Sequence, residues 1–144
     1  MIGEYLYGLT EKDARTQPVL QRFTSKFTLT GLNVLLSPQF PPVPNDKIFV
    51  LTNMVVHALA GAAQTCTGWR VDIEDETGAL ITTIAREVGT AALERAATYV
   101  GLNVLLMSNE HLEADVNFNL AGASNEASLF ACGYFIPKGN LQQR

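Results

Sequence analysis

From His111 to Leu120 the chain alternates without exception. Leu112, Ala114, Val116, Phe118 and Leu120 fall on one side, and His111, Glu113, Asp115, Asn117 and Asn119 on the other. A period of two sends successive side chains to opposite faces of a strand, so this segment is predicted to be β with one dry face and one wet face. A strand of that kind is stable only under a second layer that covers its dry face. The rest of the chain therefore has to supply partner strands and an opposing sheet.

It does so repeatedly. Phe23, Ser25, Phe27 and Leu29 alternate with Arg22, Thr24, Lys26, Thr28 and Thr30. Gly31 interrupts this strand, and Leu32 to Leu36 resumes it after a bend. The hexapeptide Gly31-Leu32-Asn33-Val34-Leu35-Leu36 recurs at 101–106 with unrelated flanks, which suggests two strands in similar environments rather than a repeat array. Residues 38–44 hold four prolines, at 38, 41, 42 and 44, and proline cannot donate to a ladder, so a stiff extended loop is predicted there. Lys47 to Leu59 is apolar on both faces, as in a strand buried on both sides. Trp69, Val71 and Ile73 alternate with Arg70, Asp72 and Glu74. The turn Asp75-Glu76-Thr77-Gly78 and the run Leu80 to Ile84 then complete a hairpin. Residues 85–97 include the helix-prone Ala91-Ala92-Leu93-Glu94-Arg95-Ala96-Ala97 but are too short before Tyr99-Val100, and read as a loop leading into a strand. Leu102 to Met107 and Ser128 to Ile136 supply two more strands. Seven or eight strands with regular turns predict an all-β fold, a β-sandwich or jelly roll. Ahead of it, Ile2, Tyr5, Leu6 and Leu9 sit at helical spacing. Residues 1–18 are thus expected to form an N-terminal arm or short helix, and 19–144 a single sandwich domain, which suits a chain of 144 residues.

Composition narrows the function classes. The 14 acidic and 10 basic side chains leave a net charge of -4, which disfavours a general phosphate-binding surface and hence a nucleic-acid partner. The first residues carry no basic stretch followed by an apolar run, and no segment is long and apolar enough to span a bilayer, so no membrane partner is expected. Cys66 and Cys132 are too few for a disulfide framework and read as buried free thiols. His57 and His111 lie in no metal-ligand spacing. The acidic cluster Asp72, Glu74, Asp75 and Glu76 lacks the calcium-loop pattern and reads as a charged hairpin tip, and Glu113 with Asp115 reads as a solvated face. Trp69 belongs to the core by its alternation. No nucleophile, phosphate loop or ligand set converges, so the expectation is no enzyme, no catalytic residues, no metal and no cofactor. The most informative pattern is where charge is missing. Between Phe27 and Trp69 only Asp46 and Lys47 are charged, and from Val116 to Arg144 only Glu126, Lys138 and Arg144. Charge depletion with Thr, Asn, Gln and Ser retained is the composition of a protein interface, and one patch reused around an axis predicts a cyclic oligomer.

Near the carboxyl end, Gly133-Tyr134-Phe135-Ile136-Pro137-Lys138-Gly139-Asn140 resembles the closing strand of small virion proteins of tailed phages. The apolar stretch Ile48 to Gly61, the strand carrying Trp69 and the Asp75-x-x-Gly78 hairpin are similar to them in order, so the resemblance covers roughly residues 45–140. It implies a β-sandwich or jelly-roll decoration (cement) protein, a homotrimer on the exterior of an icosahedral bacteriophage capsid, made in the host cytoplasm, with the major capsid protein as partner. The family has no catalytic residues to carry over. Partner contacts are expected from the arm (Ile2, Tyr5, Leu6, Leu9) and from Phe40, Pro41 and Pro42 of the proline loop. A phage tail or baseplate module and a glycan-binding sandwich are the alternatives.

Overall fold

The computed structural model describes residues 21–138. The N-terminal arm (Ile2, Tyr5, Leu6, Leu9) and residues 139–144 lie outside the described residues. Nine strands follow one another: β1 (Gln21–Gly31), β2 (Leu35–Leu36), β3 (Lys47–Leu59), β4 (Cys66–Glu74), β5 (Leu80–Ala92), β6 (Glu94–Tyr99), β7 (Val104–Leu106), β8 (His111–Phe118) and β9 (Asn125–Pro137). All pairings are antiparallel and make two sheets. The first has the order β1-β9-β3-β6, with β7 continuing beside β3, and the second has the order β2-β8-β4-β5. Apart from the β4–β5 hairpin and the β6–β7 continuation, each connection crosses from one sheet to the other. That interleaving is the double Greek key of a jelly roll.

The core lies between the sheets and is built by the alternation. Leu51, Met54, Val56, Ala127 and Leu129 face inward from the first sheet, and Val71, Ile73, Leu112, Ala114 and Val116 from the second. Trp69, 2 % exposed, joins them. Its indole Nε1 donates to the Tyr99 hydroxyl on β6 (3.2 Å), which ties the two sheets together along one open side. On the same side Arg95 of β6 stacks over the Trp69 ring and pairs with Glu87 of β5 at 3.0 Å. At the other side Phe23, Phe27, Phe40, Phe49 and Phe135 pack edge-on or tilted, with ring centroids 5.0 to 5.9 Å apart.

Strand β3 carries an extra residue, Thr52, where its register slips against β9. Opposite it the edge strand breaks into β6 and β7, and Leu102 N donates to Thr52 O at 2.8 Å. The bulge thus coincides with the break in the edge strand beside it. The repeated hexapeptide lands on two short edge strands in equivalent ways: Leu36 and Leu106 are buried, while Leu35 and Leu105 point outward.

The structure corrects two readings. Residues 85–97 are not a loop, because β5 runs to Ala92 and β6 begins at Glu94. Pairing of β5 with β4 and of β6 with β3 overrides the helix propensity of the alanines. The alternating segment ends at Phe118, and Leu120 is exposed, because Asn119 N turns to Thr65 O to start the loop before β9.

Candidate functional site

The two sheets present outward faces of opposite character. In the first sheet the register sets Lys26, Phe130, Val55 and Thr98 in one row across the face, and Arg22, Tyr134, Val50 and Leu105 in another. Ile136 pairs with Ile48 at the end of this side, where Ile48 and Val50 are already buried at 1 % and 4 % exposure. On the two inner strands, β9 and β3, the acidic or basic residues turned outward are Glu126 and His57. Polar positions there are satisfied within the sheet. Thr28 and Ser128 hydroxyls hydrogen-bond at 2.9 Å, and Thr24 Oγ1 donates to Cys132 Sγ at 3.5 Å. His57 Nε2 lies 2.7 Å from Glu94 Oε1 near one end of the face. The other charges of this face lie on its edge strands, Arg22 and Lys26 on β1 and Glu94 on β6.

The charge-depleted stretches of sequence explain this face. β3 comes from the first stretch and β9 from the second, and the fold lays them side by side along twelve residue pairs. Gly133 makes the close pairing possible, since a Cβ there would stand 2.0 Å from Val50 O. Gly133 opens the phrase that carries the resemblance to phage virion proteins. Its Pro137 pairs with Lys47, and Lys138 N donates to Asp46 O at 2.9 Å.

On the second sheet, β4 and β8 turn five charged side chains outward in register: Arg70 beside Asp115, Asp72 beside Glu113, and Glu74 beside His111. Asp72 is 1 % exposed and accepts from Arg70 Nε and Thr83 Oγ1, each at 2.7 Å. Arg70 also reaches Asp115 at 3.5 Å, and Ser37 Oγ donates to Asp115 at 2.7 Å. Burial pushes the Glu113 carboxyl up to about 7, aided by the neighbouring Asp115, Glu74 and Asp72 charges. Beside this row an open depression of about 410 Å³ runs over Gly68, between Arg70, Arg86, Val88 and Asn117. Gly68 keeps its floor low, because its φ of +148° and a Cβ only 2.3 Å from Glu87 O exclude a side chain.

Residues singled out from the sequence divide accordingly. Phe40 is buried in the aromatic cluster at 7 % exposure, while Pro41 and Pro42 are exposed. The proline segment is stitched to β8 through Phe40 N to Leu112 O, Ala114 N to Pro38 O and Val43 N to Glu110 O, each at 2.9 Å. Of the three loop residues, the two prolines are therefore the ones a partner can touch. Asp75 caps its own turn, accepting from Thr77 N, Thr77 Oγ1 and Ala79 N, and these bonds hold its carboxyl below the usual range. Asp72 and Glu74 leave the hairpin tip and join Glu113 and Asp115, a cross-strand grouping that no sequence spacing announces. His111 is not solvated as expected: its side chain is 11 % exposed and lies 3.1 Å from Glu74. Cys66 is buried in the core and its thiol is pushed up by that burial, whereas Cys132 is half-buried on the outer face of the first sheet.

No family model matches the chain, and no curated protein is similar to it. Among solved structures it is similar to a chain from the infectious bursal disease virus Gx strain, with 9 % identity, a TM-score of 0.47, and coverage of 86 % of this chain and 34 % of that one. The chain thus spans about a third of that neighbour's length. It is also similar to a chain of the cyanophage Pam1 capsid asymmetric unit, with 14 % identity, a TM-score of 0.45, and coverage of 82 % and 86 %. Dimeric latent PorU from Porphyromonas gingivalis matches at 12 % identity and a TM-score of 0.38, over 82 % of this chain and 13 % of that one. These are likenesses of overall shape.

Proposed function

We propose that this chain is a structural virion protein that decorates and stabilises an icosahedral phage capsid by binding the major capsid protein. The outer face of the first sheet carries the reading. A face whose inner strands present the part-exposed Phe130, Tyr134, Ile136 and Val55 around the buried Ile48 and Val50, with Glu126 as its one carboxylate, has the composition of an interface core. The jelly-roll strand order, which viral capsid domains share with lectins and cupins, supports it. So does the resemblance of the 133–140 phrase to small phage virion proteins.

In this reading the chain is a homotrimer on the capsid exterior. Self-association uses the first sheet, and the arm (Ile2, Tyr5, Leu6, Leu9) with Pro41 and Pro42 adds contacts to the shell. Three linked copies raise avidity by about 10²–10⁴ over one. Binding the assembled shell and not its dissociated subunits stabilises the shell by mass action. Trp69 is buried, as its alternation predicts, and so offers no stacking platform to the alternative glycan-binding reading.

Light scattering after gel filtration, then co-sedimentation with purified heads, tests the proposal. The expected results are a multiple of 15.6 kDa and saturable binding to heads, weakened when residues 1–15 are deleted. A monodisperse species of 15.6 kDa that stays in the supernatant would overturn it. Binding to tails but not to heads would move the protein to the tail or baseplate.

A further inference from the structure

The geometry points to a divalent-cation site on the outer face of the second sheet, formed by Glu74, His111 and Glu113 and suited to an ion of the Zn²⁺ class. Strands β4 and β8 pair along the whole site, Glu74 is also paired with Leu80 of β5, and Glu113 is bridged on its other side by Gln39 of the proline segment. Glu74 stands opposite His111, and Glu113 follows two residues along the same face. One ligand atom from each residue lies within 4.8 Å of the other two.

His111 Nε2 and Glu74 Oε1 are already 3.1 Å apart. That is close to the ~3.3 Å edge of a tetrahedron with metal–ligand bonds of about 2.0–2.1 Å. Their side chains are 11 % and 14 % exposed, so little rotamer freedom remains to be lost on binding. Glu113 shares a hydrogen bond with Asp115 and makes no ion pair among the described residues, and Asp72, Glu74 and Asp115 surround it with like charge. The nearest cation, Arg70, is engaged by Asp72 and Asp115. Uncompensated negative charge therefore collects beside the imidazole.

The mixture of donors selects the ion. One imidazole nitrogen with two carboxylates suits Zn²⁺ and its first-row neighbours, whereas Mg²⁺ and Ca²⁺ favour all-oxygen sets. Three protein ligands leave a fourth position for water or for a donor from a partner. The site goes beyond the virion reading and stands without it.

Isothermal titration of ZnCl₂ into the full chain at about pH 7.5 tests the site, since the imidazole must be neutral to bind. One ion per chain with a micromolar Kd is expected. Glu113→Gln and His111→Ala should each weaken it by about 10- to 100-fold, and His57→Ala should leave it unchanged. Zinc should also raise Tm where equal CaCl₂ or MgCl₂ does not. If His111→Ala fails to fold, Glu113→Gln decides alone, because it only removes a crowded charge. Absence of saturable binding at about 1 mM ZnCl₂, or binding that tracks His57 instead of His111, overturns the site.

Discussion

The two outward faces of this sandwich are both built from antiparallel strands, yet the inner strands of one turn out mainly apolar side chains and those of the other a ladder of charges. On the first sheet β9 and β3 turn out one acidic residue, Glu126, while on the second β4 and β8 turn out Arg70, Asp72, Glu74, Glu113 and Asp115. A sheet face left in water gains nothing from isoleucine and tyrosine, and a face buried against a partner is penalised for every unpaired carboxylate. The contrast teaches that one face of this jelly roll has the composition of a contact surface and the other that of a solvated one, and that polar positions on the first are closed by local bonds such as Thr28–Ser128.

Several changes break or sharpen that contrast. The largest effect should come from the residue that serves both faces at once. Trp69→Ala empties a site 2 % exposed and cuts the tie to Tyr99 between the sheets, so it should cost about 3–5 kcal/mol in a urea or thermal melt. A loss under about 1 kcal/mol would show that the sheets are held elsewhere.

Next comes a charge placed on the contact side. Phe130→Glu lies in the middle row of the first face, and should weaken self-association about 100-fold, read by sedimentation, while circular dichroism stays that of the folded chain. An unchanged sedimentation profile would refute the assignment of this face to the interface.

On the solvent side the sign reverses, and removing a charge should help. Glu113 keeps its proton up to about 7 in the folded chain, against 4.5 for the ordinary group. The folded state therefore binds more protons than the unfolded one between these values. Stability from this group is full below 4.5 and falls as pH rises through about 7. The side chain is half-buried, so solvent screening leaves about 1–2 kcal/mol of that shift. With a chelator present, Glu113→Gln should be more stable than the parent by this amount at about pH 8, and the gap should close at acid pH. A constant gap across the range would mean that the crowding of Asp72, Glu74 and Asp115 is not its cause.

Two smaller changes complete the comparison. Thr28→Val leaves the Ser128 hydroxyl, 2 % exposed, without its partner, and should cost about 1 kcal/mol in a chemical melt. Arg86→Ala, exposed on the edge strand of the second sheet, should move stability by less than about 0.5 kcal/mol and leave the oligomer intact. A large effect of Arg86→Ala on assembly would mean that the charged face, too, is a contact.

The fold class was legible because a period of two is a local property of the chain. His111–Phe118 and Lys47–Leu59 read as strands from their own residues, and the Asp75–Gly78 turn announces its hairpin because its side chain and glycine bond within the turn. The depletion of charge in two distant stretches was equally plain, but not that β3 and β9 would lie side by side and gather it on one face. Residues 85–97 were misread because their alanines favour a helix in isolation, and only pairing with β4 and β3, remote in sequence, makes them extended. Phe40 of the stiff proline loop was expected to reach a partner for the same reason: what pins it instead is the carbonyl of Leu112 and the rings of Phe23 and Phe27. Sequence by itself thus determined which residues turn together on each strand. Tertiary structure alone decided which strands lie side by side. The joining of Glu74 with His111 and Glu113, and of Ile48 with Ile136, depends on a register between strands 37 or more residues apart, and that register is set by core packing that no single segment contains.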